Sequence, residues 1–521
     1  MGQYINIGNM DFASVRNGEY IDKSSVIQVV NDTLDTEFRY SCVTRCRRFG
    51  KSLTAKMLNA YYDKSCDSRH LFQDLAIAKM PSFEKHLNKY PTIFVDMTYF
   101  TTEYRNDTNI VNIIKASIKE DIHKAYPDVT MKDTPSLMDA LFAVADSTKE
   151  RFLMIIDEWD AICREFGNMP EVMDQYVDLL RNMFKSGLSG RVFVGVYMTG
   201  ILPIKRYNTQ SALNNFREYS MIMPGKMAAT LGFTPDEVEA LCRKHGMDMD
   251  EMRRWYDGYK IGKQESIFNP YSVMSAINDG MYNSYWQTTG AYDMVVTYIQ
   301  MNFEGLKDDI IRMLAGENID VNTTRFQNDL KVIRSKDDVL TVLIHLGYLS
   351  YDIETKTCRI PNKEVAEQFE NAVKETSWSE LIKIIENSKK LLQATLNRDE
   401  QAVAKTIDNA HDEHTSILTY NNENSLACVL ALAYIYAKEE YVIHREYASG
   451  KGFADLVMIP RKNVNKPAIV IELKYNTAVN TAIDQIHNKN YPAKIREYTD
   501  NLLLVGISYD REKKEHVCHI E

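Results

Sequence analysis

Arg45-Cys46-Arg47-Arg48-Phe49-Gly50-Lys51-Ser52 decides how the first half of the chain is read. It fits the phosphate-loop pattern G-x-x-x-x-G-K-[ST] at every fixed position but the first, where Arg45 replaces glycine. The remaining positions carry the chemistry. Gly50 lets backbone N–H groups approach a phosphate, Lys51 reaches its outer oxygens, and the Ser52 hydroxyl suits Mg²⁺, all at a helix N-terminus whose dipole favours anions. Leu53, Met57, Leu58 and Tyr61 recur at helical spacing behind the loop, and the apolar run Ser41-Cys42-Val43-Thr44 precedes it. A basic turn capping a helix is the plain alternative for the tripeptide alone.

About a hundred residues on, Phe152-Leu153-Met154-Ile155-Ile156 ends in Asp157-Glu158. A buried strand closing on two acids places a metal-linked Asp and a water-activating Glu where an ATPase keeps them. With the loop, the order and spacing point to nucleotide binding. Thr199, after a fourth apolar run at Val192–Val196, is a candidate for sensing the outer phosphate. Arg206 and Arg217 are candidates for charges acting on a neighbouring site. These runs, with Thr92–Asp96 between them, alternate with helical stretches and predict a parallel sheet with crossover helices over residues 1–232.

From Phe233 to Trp378 the pattern is mostly helical. Thr234-Pro235-Asp236-Glu237 combines an N-cap, a first-turn proline and acids. Loops are expected at 256–259 and at Asn269-Pro270. A helix over Val339–Gly347 leading into a small strand pair resembles a winged helix.

Residues 379–521 read as an amphipathic linker and a last α/β unit, with a helix at 423–437, strands near 441–447, 453–459 and 468–474, a helix near 478–490 and a strand at 501–507. Asp455 opens one apolar strand and Glu472-Leu473-Lys474 ends the next. Side chains alternate along a strand, so Glu472 and Lys474 share a face while Ile471 and Leu473 pack the other. If the strands pair across the 461–467 turn, two carboxylates and an ammonium converge. That set suits phosphodiester hydrolysis: Asp455 and Glu472 bind Mg²⁺ or Mn²⁺, and Lys474 orients water or stabilises developing charge. Gly450-Lys451-Gly452 makes a basic turn ahead of Asp455. Gln485 and Lys489 lie one turn apart on the following helix, placed to face the metal or a phosphate in catalysis, and Glu423 is a further acid; a solvated helix surface explains Gln485 equally well and the other two better.

Length and charge bound the reading. At roughly 100–200 residues per domain, 521 residues suggest several modules. The balance of 62 Lys+Arg against 72 Asp+Glu gives −10, which argues against tight coating of nucleic acid. Apolar runs fall short of the roughly 18–20 residues that span a bilayer, and the first residues lack the basic-then-apolar form of a leader. A cytoplasmic protein with no membrane partner is the expectation. The 8 cysteines contain no C-x-x-C pair and read as reduced thiols.

Taken together, Arg45-x-Arg47-Arg48-Phe49-Gly50-Lys51-Ser52, Asp157-Glu158, Thr199-Gly200-Ile201-Leu202-Pro203-Ile204, Leu213-Asn214-Asn215-Phe216, and Gly452-x-x-Asp455 with Glu472-x-Lys474 resemble a bacterial family. Its members pair an AAA-ATPase-like domain with a C-terminal PD-(D/E)XK nuclease-superfamily domain. The resemblance covers nearly the whole chain. It implies ATP on Gly50, Lys51 and Ser52, joined by Arg48, with Asp157 and Glu158 as the second motif. It also implies metal on Asp455 and Glu472 with catalytic Lys474. Arg45 is normal for the family; Cys46 stands where proline is expected. The implied activity is an ATP-binding, Mg²⁺-dependent nuclease acting on DNA. Two other readings stay open: a nucleotide-controlled switch or scaffold whose nuclease fold only binds, and an ATPase acting in trans with the C-terminal unit as an assembly domain.

Overall fold

The computed structural model describes residues 2–521 except 132–135, 205–212, 287–291, 302, 315, 325, 327–332, 376–378, 415–429, 431–432, 435–436, 438–439, 450–451, 462–463, 476–478, 480, 483, 485–500 and 511–512. Two compact units emerge, one from Met1–Ala291 with Asn318–Gln368, the other from Tyr292–Glu317 with Phe369–Glu521.

In the first unit, β1 (Tyr40–Thr44) runs through the loop into α1 (Lys51–Tyr62). β2 (Thr92–Asp96) leads directly into α2 (Met97–Glu103), whose N-cap Asp96 accepts from the Thr98 amide at 2.8 Å. β3 (Phe152–Asp157) turns into the short helix α3 (Ala161–Glu165), and β4 (Phe193–Gly200) and β5 (Arg217–Tyr219) follow. The five strands pair in parallel in the order β2-β3-β4-β1-β5. Period-two alternation sends Phe152, Met154 and Ile156 to one core, with Cys42, Val196 and Met198. Leu153 and Ile155 go to a second core with Val43, Val194 and Tyr197. Helices cover both faces, as a parallel sheet requires. The four expected strands are present, and β5 adds a fifth.

The same unit contains the segment after Phe233 as far as Gln368, without Tyr292–Glu317. Its first helix, Pro235–His245, starts at a capping box in which Thr234 and Glu237 satisfy each other's backbone amides. Asn269-Pro270, expected as a loop, instead starts helix Pro270–Asp279: Asn269 accepts from the Tyr271 and Ser272 amides, and proline fills N1, where no amide hydrogen is needed. A two-stranded hairpin of β6 (Tyr259–Ile261) and β7 (Gln264–Ile267) lies between. Helix α4 (Lys336–Leu346) ends on left-handed Gly347. A small antiparallel sheet takes one strand from before this helix and two from after it, in the order β8 (Ile319–Asp320), β10 (Thr357–Arg359), β9 (Ser350–Asp352).

In the second unit, β11 (Tyr441–Ser449), β12 (Gly452–Pro460), β13 (Ala468–Tyr475), β14 (Leu502–Asp510) and β15 (Glu515–Ile520) pair in sequence order. Only β13–β14 is parallel, so the sheet is mixed. Ile469, Ile471 and Leu473 face a core closed by Leu391, Leu392, Val403 and Ile407 from helices Ser379–Leu396 and Glu400–His414. His516 fixes this seam: its amide and its Nδ1 both bond Asp408, at 2.8 and 2.7 Å. The expected helices at 423–437 and 478–490 lie mostly outside the described residues. No helix among the described residues is long and apolar enough to cross a membrane.

Candidate functional sites in the two units

The first site is a cavity of about 1020 Å³ above the loop. Gly50 has φ 84°, and nothing lies within 4 Å of where its Cβ would sit, so backbone conformation rather than space demands glycine there. Lys51 is buried, its Nζ 3.1 Å from the Cys46 carbonyl and 3.3 Å from Glu158 Oε1. Asp157 is 3% exposed; burial pushes its carboxyl up to about 7, while a hydrogen bond with Ser52 opposes the rise. Gly50, Lys51, Ser52, Asp157 and Glu158 therefore line one cavity, as does Arg48.

Burial alone would raise the Glu158 carboxyl, but the charges of Lys51 and Arg164 overcome it and hold it below the usual range. Glu158 sits at φ 49°, a left-handed position for a non-glycine residue. Two ties hold this turn to the end of β4: the Trp159 amide donates to the Thr199 carbonyl at 2.9 Å, and Asp160 accepts from the Ile201 and Leu202 amides. Thr199 is fully buried and is not among the residues lining the cavity. Its carbonyl ties it to the turn, and its hydroxyl oxygen is buried with no hydrogen-bond partner among the described residues.

Arg45 has a structural post. Its guanidinium is fully buried and donates to the carbonyls of Thr44, Tyr219 and Met227 at 2.8–2.9 Å. It turns away from the cavity and ties the end of β1 to β5. Arg48, also at positive φ (67°), donates to the Tyr285 carbonyl at 2.7 Å and stacks 3.9 Å over the Tyr271 ring. Tyr20, Ile21, Phe233, Tyr271 and Met274 give the cavity an apolar wall suited to a planar base, while Asp96, Thr98, Thr101 and Arg105 make a polar one. Arg217 lies near the rings of Phe38 and Tyr219 on β5, and Arg206 is outside the described residues.

The second site lies on β12 and β13. Their register pairs Leu456 with Ile471, so the next step outward sets Asp455 across from Glu472. Asp455 Oδ2 accepts from the Leu473 amide at 2.8 Å, and Lys474 Nζ lies 3.6 Å from Glu472 Oε1. Glu472 is 1% exposed. Two hard carboxylates side by side with a cation are a donor set that fits Mg²⁺ or Mn²⁺. Among the described residues no group of three or more His, Cys, Asp or Glu is placed to hold a metal, so water or phosphate oxygens would complete the shell. Gln485, Lys489, Glu423, Gly450 and Lys451 lie outside the described residues.

The phosphate loop with its acid pair, and the β12–β13 residues, lie in segments that match known families. Residues 6–209 match the family described as "Predicted AAA-ATPase", and residues 421–518 match the PD-(D/E)XK nuclease superfamily. The chain thus joins an AAA-ATPase-like domain to a PD-(D/E)XK nuclease-superfamily domain. A curated relative, an "Uncharacterized protein in vnfD 5'region" of Azotobacter chroococcum, is 23% identical over 298 residues, 56% of this chain and 55% of its own. The match thus spans about half of that relative's length. Two structures of the Aeropyrum pernix ORC2 protein, in ADPNP–ADP and ADP forms, align with TM-scores of 0.32 and 0.28 at 13% and 12% identity, each over 69% of this chain and 97% of theirs.

Sequence reading missed Asp96, Asp160, Arg164 and the apolar wall of the first site. Asp96 ends β2 in register with Asp157, after an apolar run like that of β3, so its signal was present. Asp160 and Arg164 stand at i, i+4, a visible spacing whose meaning appears only once Glu158 is beside them. The apolar wall joins residues more than two hundred positions apart and has no local signature.

Proposed function

We propose that the protein is an ATP-regulated, Mg²⁺-dependent nuclease acting on DNA. The observation that carries the nuclease half is the convergence of Asp455, Glu472 and Lys474 on adjoining antiparallel strands. Bound divalent metal would polarise the scissile phosphate and lower the pKa of an attacking water. Asp455 and Glu472 hold that metal. Lys474, drawn toward Glu472, faces the reacting phosphate as a fixed positive charge. Burial of Glu472 keeps water away from one side and strengthens each electrostatic contact.

The regulatory half is supported by the cavity. Gly50 and the first amides of α1 cradle the phosphates, Lys51 binds their outer oxygens, and Ser52 with Asp157 accepts Mg²⁺. The apolar wall receives the base. Glu158 accepts the proton of an attacking water once Lys51 has turned to phosphate.

The test is cleavage of duplex and single-stranded DNA and of RNA by the purified full chain with Mg²⁺ or Mn²⁺, with and without ATP. Asp455→Ala and Glu472→Ala should lose cleavage by at least 100-fold while still binding ATP. Equal cleavage by these variants and the parent sinks the enzyme reading. It would favour a nucleotide-controlled switch or scaffold, which the −10 charge also suits.

A further inference from the structure

Each oxygen of Glu158 has its own cation. Lys51 Nζ lies 3.3 Å from Oε1 and Arg164 Nη2 lies 2.9 Å from Oε2. Arg164 is held in turn by Asp160, 2.6 Å from its Nη1, and Asp160 is anchored to the Ile201 and Leu202 amides at 3.2 and 3.0 Å. The four side chains are 0–16% exposed, so none of these charges is well solvated.

This arrangement poses a problem for any triphosphate entering the cavity. Lys51 is the phosphate-binding cation, and it is already committed to Glu158. Drawing Lys51 to phosphate strips one partner from a poorly solvated carboxylate and brings further negative charge beside it. An uncompensated charge in such a place is strongly unfavourable. Arg164 is the group that removes the difficulty, since its Nη2 already donates to the second oxygen and its ion pair with Asp160 keeps it from following Lys51.

We infer that Arg164 is a positioning residue that takes sole charge of Glu158 when Lys51 turns to the triphosphate, and that it thereby sets the affinity for ATP. The inference rests on the ATP reading of the cavity. Arg164 acts through Glu158 and not by touching phosphate, which gives the inference a signature in a double substitution.

The measurement is titration of the full chain with mant-ATP and Mg²⁺, read by fluorescence at equilibrium. Arg164→Gln should raise Kd by about tenfold or more, because Glu158 then clings to Lys51 alone. Arg164→Lys, which keeps the charge, should stay within about threefold of the parent. Removing the Glu158 charge as well, in Glu158→Gln/Arg164→Gln, should restore parental or tighter binding. Parental affinity in Arg164→Gln overturns the inference. So does a double variant as weak as Arg164→Gln, which would mean a direct phosphate contact or general damage. If Arg164→Gln does not fold, Arg164→Met, which also removes the charge and keeps the length, takes its place in the single and the double substitution with the same expected outcomes. Absence of saturable mant-ATP binding by the parent overturns the ATP reading itself, and is distinguishable from both.

Discussion

Arg45 shows how a single side chain can replace a motif glycine without serving the motif's chemistry. Burial pulls its guanidinium down to about 10, and three main-chain carbonyls compensate for the lost water. Arg45→Gly brings the loop closer to the common phosphate-loop sequence, yet it should destabilise the protein. It leaves the carbonyls of Thr44, Tyr219 and Met227 without a donor and opens a void. Each unpaired buried acceptor costs about 1–3 kcal/mol, so a loss of roughly 3 kcal/mol or more is expected in urea unfolding. An unchanged midpoint, or a gain in ATP affinity with full stability, would refute the structural role. The motif's fixed positions were readable in the sequence because they are local. Arg45's partners were not, since Tyr219 and Met227 lie 174 and 182 residues away.

At the level of elements, the loop is braced from behind by the end of α4. Gly347 has φ 87°, and a Cβ there would fall 2.4 Å from Cys46 Cβ and 2.7 Å from its sulfur. The Gly347 carbonyl also accepts from the Tyr259 hydroxyl at 2.8 Å, while the Tyr259 ring meets Phe49 edge-on. Gly347→Ala must therefore move Cys46, whose carbonyl positions Lys51. The expected result is at least tenfold weaker ATP binding from a residue nearly 300 positions away from the loop. Binding by Gly347→Ala equal to the parent would show that the loop is positioned by its own helix alone. The helix ending there was legible, because Val339–Leu346 is long and apolar and glycine follows it. β5 was not: three residues with an exposed end carry no periodicity, and only pairing with β1 makes them a strand. β15 escaped for a related reason, its alternation being interrupted by histidines that bond Asp408 and Glu400. The β12–β13 pair was legible as two apolar runs, and the placing of Asp455 opposite Glu472 followed from their connection.

At the scale of the molecule, an AAA-ATPase-like domain and a PD-(D/E)XK nuclease-superfamily domain on one chain call for variants that separate them. Lys51→Ala should abolish the effect of ATP on DNA cleavage while leaving Mn²⁺ binding at Asp455 and Glu472 within about twofold of the parent, measured by calorimetry. Loss of Mn²⁺ binding in Lys51→Ala would instead mean that the substitution damages the fold as a whole. On the proposed function the −10 charge fits such a division, since a bound metal would supply positive charge only where a phosphate must sit.

Stability of the nucleotide-binding unit should also carry a pH signature that two buried groups hide from each other. Glu364 is fully buried and accepts from Ser272 and from the Tyr285 and Trp286 amides; burial nonetheless pushes its carboxyl up from 4.5 to about 7. The folded state binds this proton more tightly than the unfolded one. Its stabilising contribution is complete below pH 4.5 and is lost as pH rises through 7. His345, on α4, behaves oppositely. Its ring is 2% exposed, its Nδ1 has no hydrogen-bond partner among the described residues, and burial pulls it from 6.5 down to about 4. That contribution is complete above pH 6.5 and is lost as pH falls through 4. Each shift corresponds to a swing on the order of 3 kcal/mol, and between pH 4.5 and 6.5 the two slopes oppose. Removing one should expose the other. Glu364→Gln keeps the size and an acceptor oxygen, and relative to the parent its stability should rise as pH increases from 4.5 to 7. His345→Leu should do the reverse, losing stability relative to the parent as pH rises from 4 to 6.5. Taking differences cancels every group the variants share, so urea unfolding at half-unit pH steps reads the two contributions directly. Difference curves that are flat for both variants would mean that neither group is as dry as its surroundings make it.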